Sequence, residues 1–110
     1  MFTSYFNKVK NQPNVVSIAG RAPVWFKGRQ YKKLAPKYWF FKRYKEDGDE
    51  DFYVEKYYHE VLSKLNAQEI YNDLGKNSII ACWEYPNEFC HRYLVSSWFK
   101  VELGIEVEEL

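Results

Sequence analysis

Ser78-Ile79-Ile80-Ala81-Cys82-Trp83, then Glu84-Tyr85-Pro86-Asn87-Glu88, then Phe89-Cys90-His91-Arg92 is the stretch that decides the fold. Its first six residues are a short run, apolar after Ser78, as a buried strand requires. The polar residues that follow form a tight loop. From about Phe89 to Leu103 the chain reads as a helix, with Leu94, Val95, Trp98 and Val101 as its buried stripe and Gly104 as its stop.

Towards the N-terminus, Val15-Val16-Ser17-Ile18-Ala19 is a second β-branched apolar run, closed by Gly20 and Pro23, and it predicts another buried strand. Phe2 to Phe6 predicts a neighbouring strand. Residues 20–48 are rich in aromatics and bases and punctuated by Gly28, Pro36 and Gly48, which predicts a long functional loop with a short helix near Tyr38 to Tyr44. Val54, Tyr57, Tyr58, Val61, Leu62 and Leu65 keep helical spacing, and Asp49, Glu50 and Asp51 suit the positive start of that helix. Asn66 and Glu69 resemble a capping box, so a further helix is expected from Ala67 to Leu74, ended by Gly75. Ile105-Glu106-Val107-Glu108 alternates like an edge strand. Strands alternating with helices predict an α/β domain of three layers, with a small, mainly parallel sheet covered by helices.

A chain of 110 residues, 46% hydrophobic and 20% aromatic, supplies one core, so residues 1–110 are expected to form a single domain. No apolar run is long enough to cross a bilayer, and Met1 to Phe6 lacks the pattern of a secretory signal. Cys82 and Cys90 are the only cysteines, which predicts two reduced thiols and a cytoplasmic setting.

The net charge of +1 conceals an asymmetry. Residues 1–45 hold eleven bases and no acid, whereas residues 46–110 hold five bases and all fifteen acids. An anionic partner would explain this, and so would neutralisation of one half by the other. Between Arg21 and Lys45, nine bases interleave with Trp25, Phe26, Tyr31, Tyr38, Trp39, Phe40, Phe41 and Tyr44. Such a pattern suits single-stranded nucleic acid, or a sheet that needs aromatic cover above solvated lysines.

In parallel sheets ligands bind beyond the carboxyl ends of the strands, where Gly20-Arg21 and Glu84 to Arg92 are expected to meet. Cys90, His91 and Arg92 are placed in the first turn of the last helix, where a thiol pKa falls and backbone N–H groups face a ligand. Arg92 could grip a phosphate or carboxylate, and Glu84 could orient Arg92 or His91 or act as a base. The alternative is a buried Cys90 with a structural Arg92–Glu84 pair. Cys82, Cys90, His91 and His59 are of metal-ligand type, but their spacing matches no paired motif, and no metal is expected. No P-loop, dinucleotide fingerprint or nucleophile elbow is present, and no cofactor is expected.

The run Ile79-Ile80-Ala81-Cys82-Trp83-Glu84, Phe89-Cys90-His91-Arg92, Val95 and Trp98 resembles the C-terminal signature of domain-of-unknown-function family 488. Ser17-Ile18-Ala19, Pro23, Trp25, Gly28, Tyr31 and Leu34-Ala35-Pro36 resemble its N-terminal half. The resemblance implies a compact α/β fold of bacteria and their phages and no established activity. It carries over Glu84, Cys90, His91 and Arg92, and it implies an arginine near the second strand, for which Arg21 is the candidate. Three readings follow. The first is a site for an anionic, phosphate- or nucleotide-like small molecule, held by Arg92, His91 and Arg21, with Cys90 as candidate nucleophile and Glu84 as carboxylate. The second is a nucleic-acid-binding protein using segment 21–45, and the third a structural module without a ligand.

Overall fold

The computed structural model describes residues 1–110. Five strands form one sheet: β1 (Phe2–Tyr5), β2 (Val15–Ser17), β3 (Arg29–Gln30), β4 (Ile79–Cys82) and β5 (Glu108–Glu109). Their order is β3-β2-β4-β1-β5, and every neighbouring pair is parallel. β4 is central. Ile79 stands opposite Phe2 on one side and Val15 on the other, and Ala81 stands opposite Ser4 and Ser17. All four β4 residues are buried, which accounts for the unbroken apolar run that marked it in the sequence.

Side chains alternate across the sheet, so its two faces have separate cores. Val16, Ile18 and Ile80 pack in one core with residues of α1 (Tyr38–Asp47), α2 (Glu50–Glu60), α3 (Ala67–Leu74) and α4 (His91–Leu103). Val15, Ile79 and Ala81 pack in the other with Phe6, Val9, Trp25 and Phe26, from segments that are not helical. The expected α/β domain with a parallel sheet is therefore present, with helices on one face and aromatic-rich irregular chain on the other. The β1–β2 and β2–β3 connections are too short to hold a packed crossover helix, and their aromatic rings cover the sheet instead.

Local chemistry sets the element ends. Asp49 caps α2 by accepting a hydrogen bond from the Phe52 N–H at 3.1 Å, and Asn66 caps α3 by accepting from the Glu69 N–H at 3.0 Å. Gly48 and Gly104 end α1 and α4 in the left-handed conformation. Gly28 serves close approach: a Cβ there would lie 2.7 Å from the Val15 carbonyl oxygen.

Several expected boundaries shift. The long loop contains β3 and a 3-10 turn at Lys32–Leu34, and α1 runs on to Asp47. The second helix stops at Glu60, and Leu62–Lys64 form a 3-10 turn, so the expected stripe is split between two elements. Val101, placed in the buried stripe of α4, is 82% exposed, while His91, Arg92, Val95, Trp98 and Phe99 are buried. An apolar residue at helical spacing does not fix which face meets the sheet, and here the face is turned towards His91 and Arg92.

The charge asymmetry is partly settled within the fold. Arg29 pairs with Asp73, Lys37 with Glu60 and Arg43 with Asp47, each joining the basic half to the acidic half.

Candidate functional site

β2 and β4 end side by side, and the chain beyond each bends over the sheet edge. Ala19, Gly20 and Arg21 follow β2, and Cys82, Trp83 and Glu84 lie at the end of β4. Together with Cys90 and His91 at the start of α4 they line a cavity of about 710 Å³. Its opposite wall comes from the basic aromatic segment, which contributes Lys32, Tyr38, Phe41, Tyr44 and Lys45. Arg21, Glu84, Cys90 and His91 are thus brought together as expected, and the segment read as a separate nucleic-acid surface is the other wall of the same space.

Arg92 differs from the expectation of an anion-gripping side chain. It is fully buried, and it does not line the cavity. Its Nε donates to Glu109 Oε1 at 3.1 Å and its Nη2 to Glu109 Oε2 at 2.9 Å, a fork-to-fork pair. Nη1 donates to the Glu84 carbonyl at 2.7 Å and to Cys82 Sγ at 3.1 Å, and Nη2 also donates to the Tyr93 hydroxyl at 2.9 Å. A guanidinium has five N–H groups, and all five are spent on the protein. The expected Arg92–Glu84 pairing exists only through the Glu84 backbone; the carboxylate that neutralises Arg92 is Glu109, on the edge strand. Burial raises the Glu109 pKa, but hydrogen bonds from Arg92 and Thr3 outweigh it and leave the carboxyl below its ordinary value.

Cys82 and Cys90, expected as free thiols, form a disulfide. β4 delivers Cys82 to the sheet edge, and the loop brings the N-cap of α4 back against it, with the two Cα atoms 7.5 Å apart. A cysteine count carries no information about that return. Cys90 is the N-cap itself, one residue before the first helical turn. The pairing withdraws the sequence argument for two reduced thiols and a reducing compartment, and Cys90 can act as a nucleophile only once the bond is opened.

His91 is buried at the same point. Its Nε2 lies 2.8 Å from the Ile18 carbonyl oxygen, which can only accept, so Nε2 carries the proton. Nδ1 then presents its lone pair 3.9 Å from Cys90 Sγ. Burial lowers the His91 pKa to about 4, the Ile18 hydrogen bond opposes the shift, and the Arg92 charge adds to it. The imidazole is neutral near pH 7. Cys82, Cys90 and His91 have ligand atoms within 4.8 Å of one another. The sulfurs are bonded to each other and a guanidinium lies against one of them, an arrangement hostile to a cation.

Glu84 is the one carboxylate lining the cavity, which it shares with the cations Arg21, Lys32 and Lys45. The Lys32 ammonium also donates to the Gly20 carbonyl. Trp83 Nε1 donates to the Arg21 carbonyl at 2.7 Å, tying the two strand-end segments together. Burial raises the Tyr44 pKa, helped by Glu50, Glu84 and Glu88, so its hydroxyl stays protonated. His59, the other residue of metal-ligand type in the sequence, lies on α2 and is exposed.

Sequence reasoning missed Glu109, Lys32, Lys45 and Tyr44 as members of one assembly. Glu109 had a weak signal, since it extends the acidic alternation of 105–108 by one residue. The cavity-lining lysines had none that separates them from their solvated neighbours Lys33 and Lys42.

Comparisons with curated proteins and with solved structures found no match. A family model described as the active DUF488-N3 subclade matches residues 8–103, a span holding both strand ends and every residue named above in the cavity, and the chain belongs to the DUF488 family.

Proposed function

We propose that the cavity binds a small anionic molecule bearing a planar ring, of phosphate- or nucleotide-like chemistry. One observation carries this reading. Three cations, Arg21, Lys32 and Lys45, share a single space of about 710 Å³ with Tyr38, Phe41, Tyr44, Trp83 and Phe89. That volume is within the range of small-molecule sites, and cations among aromatic faces suit a charged group joined to a stacking ring. The description of the matching subclade as active supports a working site.

In this reading Arg21 and Lys45 neutralise the anion, and Lys32 assists from the rim. Glu84 is the carboxylate available to orient the ligand or to take a proton. Cys90 is the candidate nucleophile in the dithiol state. His91 and Arg92 are positioning residues: His91 holds the Ile18 carbonyl and faces Cys90, and Arg92 fixes the Glu84 backbone and Cys82.

Binding of single-stranded nucleic acid along segment 21–45 has less support, because Arg29, Lys37 and Arg43 are already paired with acids of the same chain.

The test is thermal unfolding with mononucleotides and with inorganic phosphate. A ligand at a hundred times its Kd should stabilise by about 2.7 kcal/mol. Arg21→Ala and Lys45→Ala should each abolish the protection, while Lys33→Ala, outside the cavity, should leave it intact. Protection that ignores Arg21 and Lys45 but tracks Lys33, or oligonucleotide binding in its place, would sink the cavity reading.

A further inference from the structure

The Cys82–Cys90 bond lies on the cavity wall, and its two sulfurs have different partners. Cys82 Sγ accepts a hydrogen bond from Arg92 Nη1 at 3.1 Å. That guanidinium is held by both oxygens of Glu109 and by the Glu84 carbonyl, so its position does not depend on the redox state of the sulfur. Cys90 Sγ faces the unprotonated Nδ1 of His91. A thiolate is favoured by a fixed cation, and a thiol by a neutral acceptor of its proton. On opening, therefore, Cys82 is the sulfur suited to leave as thiolate and Cys90 the one suited to hold a proton or an added group.

We propose that Cys82 and Cys90 form a reversible dithiol–disulfide centre that exchanges with a small anionic thiol admitted by the cavity. The thiolate of the incoming molecule attacks Cys90 Sγ. A bond forms between the two sulfurs, the Cys82–Cys90 bond breaks, and its electron pair leaves on Cys82 as a thiolate beside Arg92. A second molecule of the thiol attacks the sulfur of the first, releasing the oxidised dimer and the Cys90 thiolate. The two protons given up by the thiols end on the two cysteines. The protein gains two electrons and two protons, and two thiols become one disulfide. In the reverse direction Cys90, its proton lost to water, attacks the small disulfide, and Cys82 resolves the mixed disulfide. The direction of attack follows from the leaving group, since the sulfur with the lower pKa departs faster. The requirement for an anionic thiol follows from Arg21, Lys32 and Lys45, which line the approach. The proposal uses the cavity and is independent of whether a nucleotide also binds there.

The experiment uses the whole folded chain in glutathione redox buffers at neutral pH, with thiols counted by alkylation and mass. The native protein should yield two alkylatable thiols as the buffer becomes reducing and lose them as it becomes oxidising, without unfolding. When the native disulfide is opened by reduced glutathione and the reaction is quenched with acid, the mixed disulfide should be found on Cys90 at least roughly tenfold more often than on Cys82. Arg21→Ala should slow exchange with glutathione several-fold and slow exchange with uncharged β-mercaptoethanol by a smaller factor. Release of thiols only under denaturing conditions, or equal glutathionylation of Cys82 and Cys90 in the quenched reaction, overturns the exchange centre. Equal effects of Arg21→Ala on both reagents overturn the anionic thiol. Loss of nucleotide protection with intact exchange counts against the ligand reading and leaves the exchange centre standing.

Discussion

Arg92 and Arg21 both stand at the carboxyl end of the sheet, Arg92 fully buried with every donor occupied and Arg21 exposed on the cavity wall. Arg21 takes part in no ion pair. Arg92 clasps β5, the end of β4 and the start of α4 around one charge, whereas Arg21 is a charge without an internal partner beside a concave space. A guanidinium near a site is therefore not by itself a ligand-binding group. The cation with free donors is the one available to a ligand, and the one with none belongs to the scaffold.

The largest effect should come from breaking the clasp. Glu109→Gln leaves a buried guanidinium without its countercharge, and the expected loss is about 3–5 kcal/mol in urea unfolding. Arg92→Met should cost less than this if the side chain repacks, because it removes the charge that needed a partner. A loss near zero for Glu109→Gln would show that water reaches Arg92 and would erase the distinction between the two arginines.

The next effect is one of pH. His91 titrates at about 4 in the folded chain against 6.5 when free, so between those values the unfolded state binds more protons. Its contribution is fully present above about pH 6.5 and declines as pH falls towards 4, for a total on the order of 3 kcal/mol. The difference in urea midpoint between pH 7 and pH 4.5 should be smaller in His91→Gln, which keeps a donor for the Ile18 carbonyl but cannot titrate. An unchanged difference would place the acid sensitivity in the carboxylates.

The smallest effect belongs to the open cations. Arg21→Ala and Lys45→Ala should change stability by no more than about 0.5 kcal/mol, as exposed positions do, while removing ligand protection. A loss of several kcal/mol from either would make that residue part of the scaffold, like Arg92.

The central strand was legible because β4 is buried on both faces and its residues are uniformly apolar. The helix caps at Asp49 and Asn66 were legible because capping is local chemistry. So was the meeting of Arg21, Glu84, Cys90 and His91, since a parallel sheet brings the residues after its strands to one edge. What could not be read depends on side-chain direction and on distant pairing. Val101 fits the helical spacing and still faces water, because periodicity fixes a stripe and not its partner. Glu109 is the countercharge of Arg92 only because β5 lies beside β1, a neighbour relation that no spacing encodes. The disulfide depended on how a five-residue polar loop turns back, which composition does not determine.

β1 is flanked by β4 and β5, so it is paired only with strands that lie far later in the sequence. During synthesis Phe2 has no lateral hydrogen-bonding partner in the sheet until residue 79 has emerged, and Thr3 waits for Glu109 as well. Closing such distant pairings is entropically slow, and β1 stays unsatisfied until they form. The same ordering dates the cavity: the β4 end, both sulfurs and the Arg92–Glu109 clasp all come from residues 82–109, after the basic aromatic wall. A nascent or truncated chain can carry the basic aromatic wall, yet it has no site for that wall to enclose.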